Sequence, residues 1–216
     1  MTASIDTGGP TGPARATEPA QGGQPGPRAL HVLHVCTGNI CRSPMAERIM
    51  RSELSLRYGP AVDILVHSAG TYGGHDSASM YPPAVQALRE LGIEADGFTA
   101  TWLREPQLAW ADLVLTATAD HRSEVLRLEP RALRSTFTVR ELARLAGRVR
   151  PDDLSAGTPG ARLRALASAA ADLRGLYPPA DRTADDIGDP FGGPDTEFRQ
   201  AAAAIATAVR AILAVV

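Results

Sequence analysis

A short apolar run that ends in a cysteine, a glycine turn and a helix start constrains this chain more than any other feature. Leu30, Val32, Leu33 and Val35 read as a buried strand. Gly38 marks the turn, and Ser43-Pro44 opens a helix, because the N–H that Pro lacks would have no partner in a first helical turn. Cys36 therefore falls at the carboxyl end of a strand, just ahead of a helix N-terminus. In parallel α/β sheets that edge is where ligands bind. Loop N–H groups and the helix dipole converge there on one point and form an anion site.

The remaining chain alternates in the same way. Met45, Ile49, Leu54 and Leu56 give the first helix an apolar side, and Gly59-Pro60 ends it. Residues 62–66 read as a second strand, 83–91 as a helix stopped by Gly92, 113–117 as a third strand, and 120–128 as a helix. Phe137 and Val139 mark a fourth strand, followed by a helix over 140–146. Pro and Gly break residues 147–187 into loops around an Ala/Leu-rich helix at 162–173. The last helix starts near Asp195, with Phe198, Ile205, Val209, Ile212 and Val216 forming one core-facing stripe. The pattern predicts a single α/β domain over residues 29–216: a four-stranded parallel sheet with helices on both faces. Residues 1–28 hold eleven Gly or Pro and almost no large apolar side chain, so a disordered tail is expected.

Composition narrows the chemistry. The net charge is −2, which argues against a generic nucleic-acid or membrane-surface binder. The basic residues number 22, and all are arginine. Any phosphate must therefore be held by guanidinium groups and backbone N–H rather than by a lysine. The arginines between 131 and 150 lack interleaved aromatics and read as a solvated helix face. The longest apolar stretch, residues 201–216, is alanine-rich, contains Arg210 and is too short to span a bilayer. With no signal-peptide pattern, a cytoplasmic protein without membrane attachment is expected. Cys36 and Cys41 cannot form a disulfide framework, and no paired Cys/His spacing completes a zinc site, so no metal is expected.

The loop itself carries the chemistry. Arg42 closes it with a planar fork able to grip two oxygens of a phosphoryl group. The same dipoles favour the ionised, nucleophilic form of a thiol placed as Cys36 is. Ser43 can donate to that thiolate, and Asn39 tolerates a left-handed backbone while its amide holds the loop.

The segment from Cys36 to Pro44, continued by Met45-Ala46-Glu47, resembles the low-molecular-weight protein tyrosine phosphatases. Ser68-Ala69-Gly70-Thr71, read as following the second strand, is similar to that family's second motif, and Asp189-Pro190-Phe191-Gly192-Gly193 to its C-terminal acid loop. The resemblance covers about residues 30–216, with 147–187 longer than the family leads one to expect. It implies a phosphoprotein substrate and a two-step hydrolysis without metal or other cofactor. Cys36 attacks phosphorus, and Asp189 protonates the leaving atom and then activates water. Arg42 and the amides of Thr37, Gly38, Asn39, Ile40 and Cys41 stabilise the transition state. Ser43 and Ser68 support the loop, and Ile40, Phe191 and Tyr72 form the substrate walls. Asp185 and Asp186 read as a solvated acidic stretch, and His67 as structural.

Departures from the family pattern bear on substrate. Phe98-Thr99-Ala100-Thr101 stands where many members carry a histidine, which predicts a dry, apolar surround for Asn39 and Ser68. Gly192 stands where many carry a tyrosine. Isoleucine at position 40, with Phe191 opposite, favours the flat ring of phosphotyrosine. The arginine-phosphatase branch, typically threonine at that position, is the alternative. An arsenate reductase would need relay cysteines beyond Cys41. A phosphocysteine carrier, the non-enzymatic alternative, would need no acid at Asp189. Cys41 is expected to capture an oxidised Cys36 as a reversible disulfide.

Overall fold

The computed structural model describes residues 28–154 and 156–216. The expected tail at 1–28 lies almost wholly outside them. Four strands, β1 (Leu30–Cys36), β2 (Ile64–Gly70), β3 (Leu113–Thr116) and β4 (Thr136–Thr138), form one parallel sheet in the order β2-β1-β3-β4. Helices α1 (Arg42–Tyr58), α2 (Pro82–Glu90), α3 (Glu105–Trp110), α4 (Ala119–Leu128), α5 (Val139–Ala146), α6 (Pro159–Leu173) and α7 (Asp195–Leu213) cover both faces.

The two-residue period of β1 divides the core. Leu30 and Val32 face the larger cluster, which includes Met45 and Ile49 of α1, Leu142 of α5 and Ile205 and Val209 of α7. Leu33 and Val35 face a smaller one with Leu108 of α3, Val114 of β3 and Val125 of α4. A strand buried on both sides reads as a continuous apolar run, which is why β1 was visible in the sequence.

Three expectations about the elements change. The second strand runs over Ile64–Gly70 rather than 62–66, so Ser68-Ala69-Gly70 lies inside it and not after it. As an edge strand it leaves Leu65 45% exposed and carries His67, Ser68 and Gly70 in positions with no apolar signature. Leu56, expected on the buried side of α1, is 80% exposed. Val139 opens α5 instead of continuing β4, because Thr138 and Glu141 form a reciprocal cap: the Glu141 N–H donates to Thr138 Oγ1 at 3.0 Å and the Thr138 N–H to the Glu141 carboxylate at 3.3 Å. Helix α3, six residues long, was too short to show a period.

The acidic stretch also differs. The Asp185 side chain is buried and pairs with Arg144 at 2.6 Å, while Asp186 accepts from the Ala119 N–H at the start of α4 at 2.8 Å. Apart from Arg144, the arginines of the 131–150 stretch lie on the solvated surface as expected, where Arg140 donates to the Asp186 carbonyl at 3.0 Å and Arg134 pairs with Asp172 at 2.7 Å. Among the described residues, no helix is long and apolar enough to cross a membrane.

Candidate active site

β1 delivers Cys36 to the carboxyl edge of the sheet, residues 37–41 turn, and α1 begins at Arg42. The end of β2 stitches the turn in place: the Thr71 N–H donates to the Cys36 carbonyl at 2.9 Å and the Tyr72 N–H to the Thr37 carbonyl at 2.8 Å. Asn39 takes a left-handed backbone, φ 53°, as expected of an Asn at a tight loop. Ser43 Oγ lies 3.0 Å from Cys36 Sγ.

Behind the loop lies a polar network rather than a dry surround. Asn39 Nδ2 donates to Ser43 Oγ at 2.8 Å and to Ser68 Oγ at 2.9 Å, its Oδ1 accepts from the Thr101 N–H at 2.8 Å, and Ser68 donates to the Glu47 carboxylate at 2.6 Å. Glu47 in turn pairs with Arg51 one helical turn on, at 3.1 Å. The Thr101 backbone and the Glu47 side chain thus supply what a histidine in the Phe98–Thr101 stretch was expected to supply, and Phe98 packs against the core instead. His67, as expected, is structural: it stacks on His31 at 5.7 Å and meets Trp110 edge-on at 4.8 Å.

The acid loop reaches the same point from the far end of the chain. The Ile187 N–H donates to the Ala117 carbonyl at the end of β3, 2.8 Å away. Arg42, buried, donates through Nη1 to the Ile187 carbonyl at 3.2 Å and through Nη2 to Thr37 Oγ1 at 3.3 Å and to Asp189 Oδ2 at 2.6 Å. The other Asp189 oxygen accepts from the Phe191 N–H at 3.2 Å. Gly192, φ 79°, makes the turn that follows.

These residues enclose a cavity of about 190 Å³. Buried Cys36, Cys41 and Arg42 line its inner part, and Ile40, Tyr72, His75 and Phe191 its walls. Tyr72 and Phe191 are exposed, and His75 meets Tyr72 edge-on at 5.7 Å. Ser43, Ser68 and Asn39 stand behind the loop rather than in the cavity. Burial is the main reason the Cys41 thiol is pushed up to about 12, with Cys36 and Asp189 adding to it, so Cys41 stays protonated. Two participants gave no sequence signal: His75, which follows two glycines with no pattern around it, and His121, whose ring touches Thr37 Oγ1 at 2.9 Å. Only the spacing of His121 three residues after the Thr118 cap could have pointed to it.

A cavity at a helix N-terminus, holding a thiol, a guanidinium and a carboxylate, defines a cysteine-dependent phosphatase site. The family model described as "Low molecular weight phosphotyrosine protein phosphatase" matches residues 31–159, and the chain belongs to that family. It is 31% identical over 171 residues to a protein-arginine-phosphatase of Geobacillus stearothermophilus, covering 79% of this chain and 84% of that one. It is 31% identical over 180 residues to low molecular weight protein-tyrosine phosphatase A of Mycobacterium tuberculosis, covering 83% and 87%. Among solved structures it is similar to the YwlE arginine phosphatase of Geobacillus stearothermophilus, with a TM-score of 0.60, 27% identity, and 86% and 91% of the two chains covered.

Proposed function

We propose that this phosphatase releases phosphate from phosphotyrosine in cytoplasmic proteins through a phosphocysteine on Cys36. The observation that carries the reading is the Cys36–Arg42–Asp189 arrangement around one cavity. In the ligand-free site the Asp189 carboxylate accepts from Arg42 Nη2. Phosphoryl oxygens take over that donor and the loop N–H groups, and Asp189, released and carrying a proton taken from solvent, protonates the leaving oxygen as Cys36 Sγ bonds to phosphorus. Water then attacks the phosphocysteine, Asp189 takes its proton, and the thiolate departs. Ser43 Oγ, held by Asn39, is within reach to donate to that thiolate.

Preference for an aromatic ester is supported by the walls. Ile40 and Phe191 present apolar faces to a ring, and Ile40 has no acceptor for a guanidinium. The second reading is phosphoarginine. Names among the similar proteins favour it: the relative and the solved structure from Geobacillus are both arginine phosphatases, and so are a relative from Bacillus subtilis and the solved structure of a serine-substituted YwlE. Rates on phosphotyrosine, phosphoserine and phosphoarginine peptides, with Cys36→Ser as blank, decide between them. Faster cleavage of phosphoarginine replaces the first reading with the second, and no cleavage by wild type removes both. Cys41 is proposed as the resolving thiol for an oxidised Cys36.

A further inference from the structure

His121 lies in the first turn of α4, is buried, and has no part in the chemistry above. Its ring bridges two hydroxyls. Nδ1 is 2.7 Å from Thr118 Oγ1 and Nε2 is 2.9 Å from Thr37 Oγ1. Thr118 Oγ1 also accepts from the His121 backbone N–H at 3.3 Å, and Thr37 Oγ1 from Arg42 Nη2 at 3.3 Å. Thr37 lines the cavity beside Cys36 and Arg42.

We propose that His121 is a positioning residue: as the Nε2–H tautomer it donates to Thr37 Oγ1 and thereby turns the Thr37 hydroxyl proton into the cavity, as a donor to the bound oxyanion. The inference rests on reading the loop as a phosphate cradle.

The argument is a count of protons and lone pairs. A guanidinium only donates, so Arg42 takes one lone pair of Thr37 Oγ1. With the proton on Nε2, His121 takes the other, and the Thr37 O–H has only the cavity left to point into. At the other nitrogen, Thr118 donates its proton to Nδ1 while accepting from the backbone, so every group in the chain is used. With the proton on Nδ1 the order reverses. Thr37 would spend its proton on Nε2 and face an arriving anion with lone pairs, and the part-buried Thr118 proton would have no acceptor among its observed contacts. The ring is also neutral. Burial first, and then the Arg42 charge, pull it down to about 4 against the opposing pull of Glu124, Asp189 and Asp120. A neutral ring has one N–H to give, which makes the direction of the relay definite.

The test has two arms. Long-range 1H–15N spectra of 15N-histidine-labelled wild type, with vanadate bound at neutral pH, are expected to show His121 as the Nε2–H tautomer. In the second arm, Thr37→Val and His121→Leu are each expected to weaken vanadate inhibition and kcat/KM by roughly ten- to a hundredfold, the scale of one hydrogen bond to a charged group. The double variant should lose no more than either single one, because both remove the same proton. His121→Gln, whose amide N–H reaches about as far as Nε2–H, should lose less than His121→Leu. An Nδ1–H tautomer, or losses that multiply in the double variant, overturns the role of His121 while leaving the cradle intact. Failure of wild type to bind vanadate removes the cradle reading and this proposal with it.

Discussion

Gly70→Ala should damage catalysis far more than folding. Gly70 is the last residue of β2, pairs with Cys36 in the sheet, and abuts the phosphate loop. A Cβ built there lies 2.6 Å from the Thr37 carbonyl oxygen, 2.8 Å from the Asn39 nitrogen and 2.8 Å from the Gly38 carbonyl carbon, against ordinary contact from 3.4 Å. All three are backbone atoms, so no side-chain rotation relieves the clash. The strand end is itself held, by the Gly70 N–H donating to the Thr101 carbonyl at 2.9 Å and the Leu103 N–H to the Gly70 carbonyl at 2.7 Å. The loop is therefore the part that moves, by several tenths of an ångström. Overpacking of this kind costs about 1–3 kcal/mol of stability, whereas a misplacement approaching 1 Å in a catalytic constellation costs about 10²-fold in rate. Urea unfolding paired with steady-state kinetics on a phosphotyrosine analogue is the assay. The expected result is a folded variant with kcat/KM down about 10²-fold and vanadate binding weakened in parallel. A folded Gly70→Ala with kcat/KM close to wild type would refute the reasoning, since it would mean that the loop tolerates displacement.

Asp189→Asn should slow esters with poor leaving groups by about 10²–10⁴-fold and esters with good ones much less, and equal losses would make Asp189 structural. Ile40→Thr should shift the ratio of phosphoarginine to phosphotyrosine cleavage upward by about tenfold or more, because an acceptor for the guanidinium is restored. Peroxide treatment should convert Cys36 to a sulfenic acid. Attack by the Cys41 sulfur then expels water and leaves a disulfide that dithiols reverse, so Cys41→Ser should lose recovery, and full recovery in that variant would end the idea. Stability should fall on acidification. His34 and His121 are held by burial at about 3 and about 4, below the ordinary 6.5, so both stabilise fully above pH 6.5 and less as pH drops toward those values. Each should contribute about 1.4 kcal/mol per pH unit below that point. Urea midpoints that stay flat from pH 6.5 to 5 would contradict this.

How much of the molecule was legible depended on where each residue's partners lie. β1 and the loop after it could be read directly, because a strand buried on both faces is apolar throughout and the loop's chemistry is contiguous in sequence. β2 was misplaced because an edge strand shows water one face, and its functional half is the polar and small stretch His67 to Gly70. The reading of Asn39 and Ser43 as loop supports needed only local geometry. Glu47 was visible inside the first motif but without its task, since its acceptance from Ser68 depends on how α1 crosses β2. Asp185 looked solvated because its partner, Arg144, lies 41 residues earlier on a different element. His121 was invisible for the same reason: only the folded sheet brings the β3–α4 junction against the β1 loop.

The clasp between Arg42 and the segment Ile187 to Asp189 joins groups 145 and 147 residues apart. That span ties the acid to the fold as well as to the nucleophile. Helix α7 begins six residues after Asp189, and its Phe198, Ile205 and Val209 are buried in the larger core. A cut ahead of Asp189 therefore takes away core and carboxylate together, so the acid can be separated from the site only by substitution, not by shortening the chain.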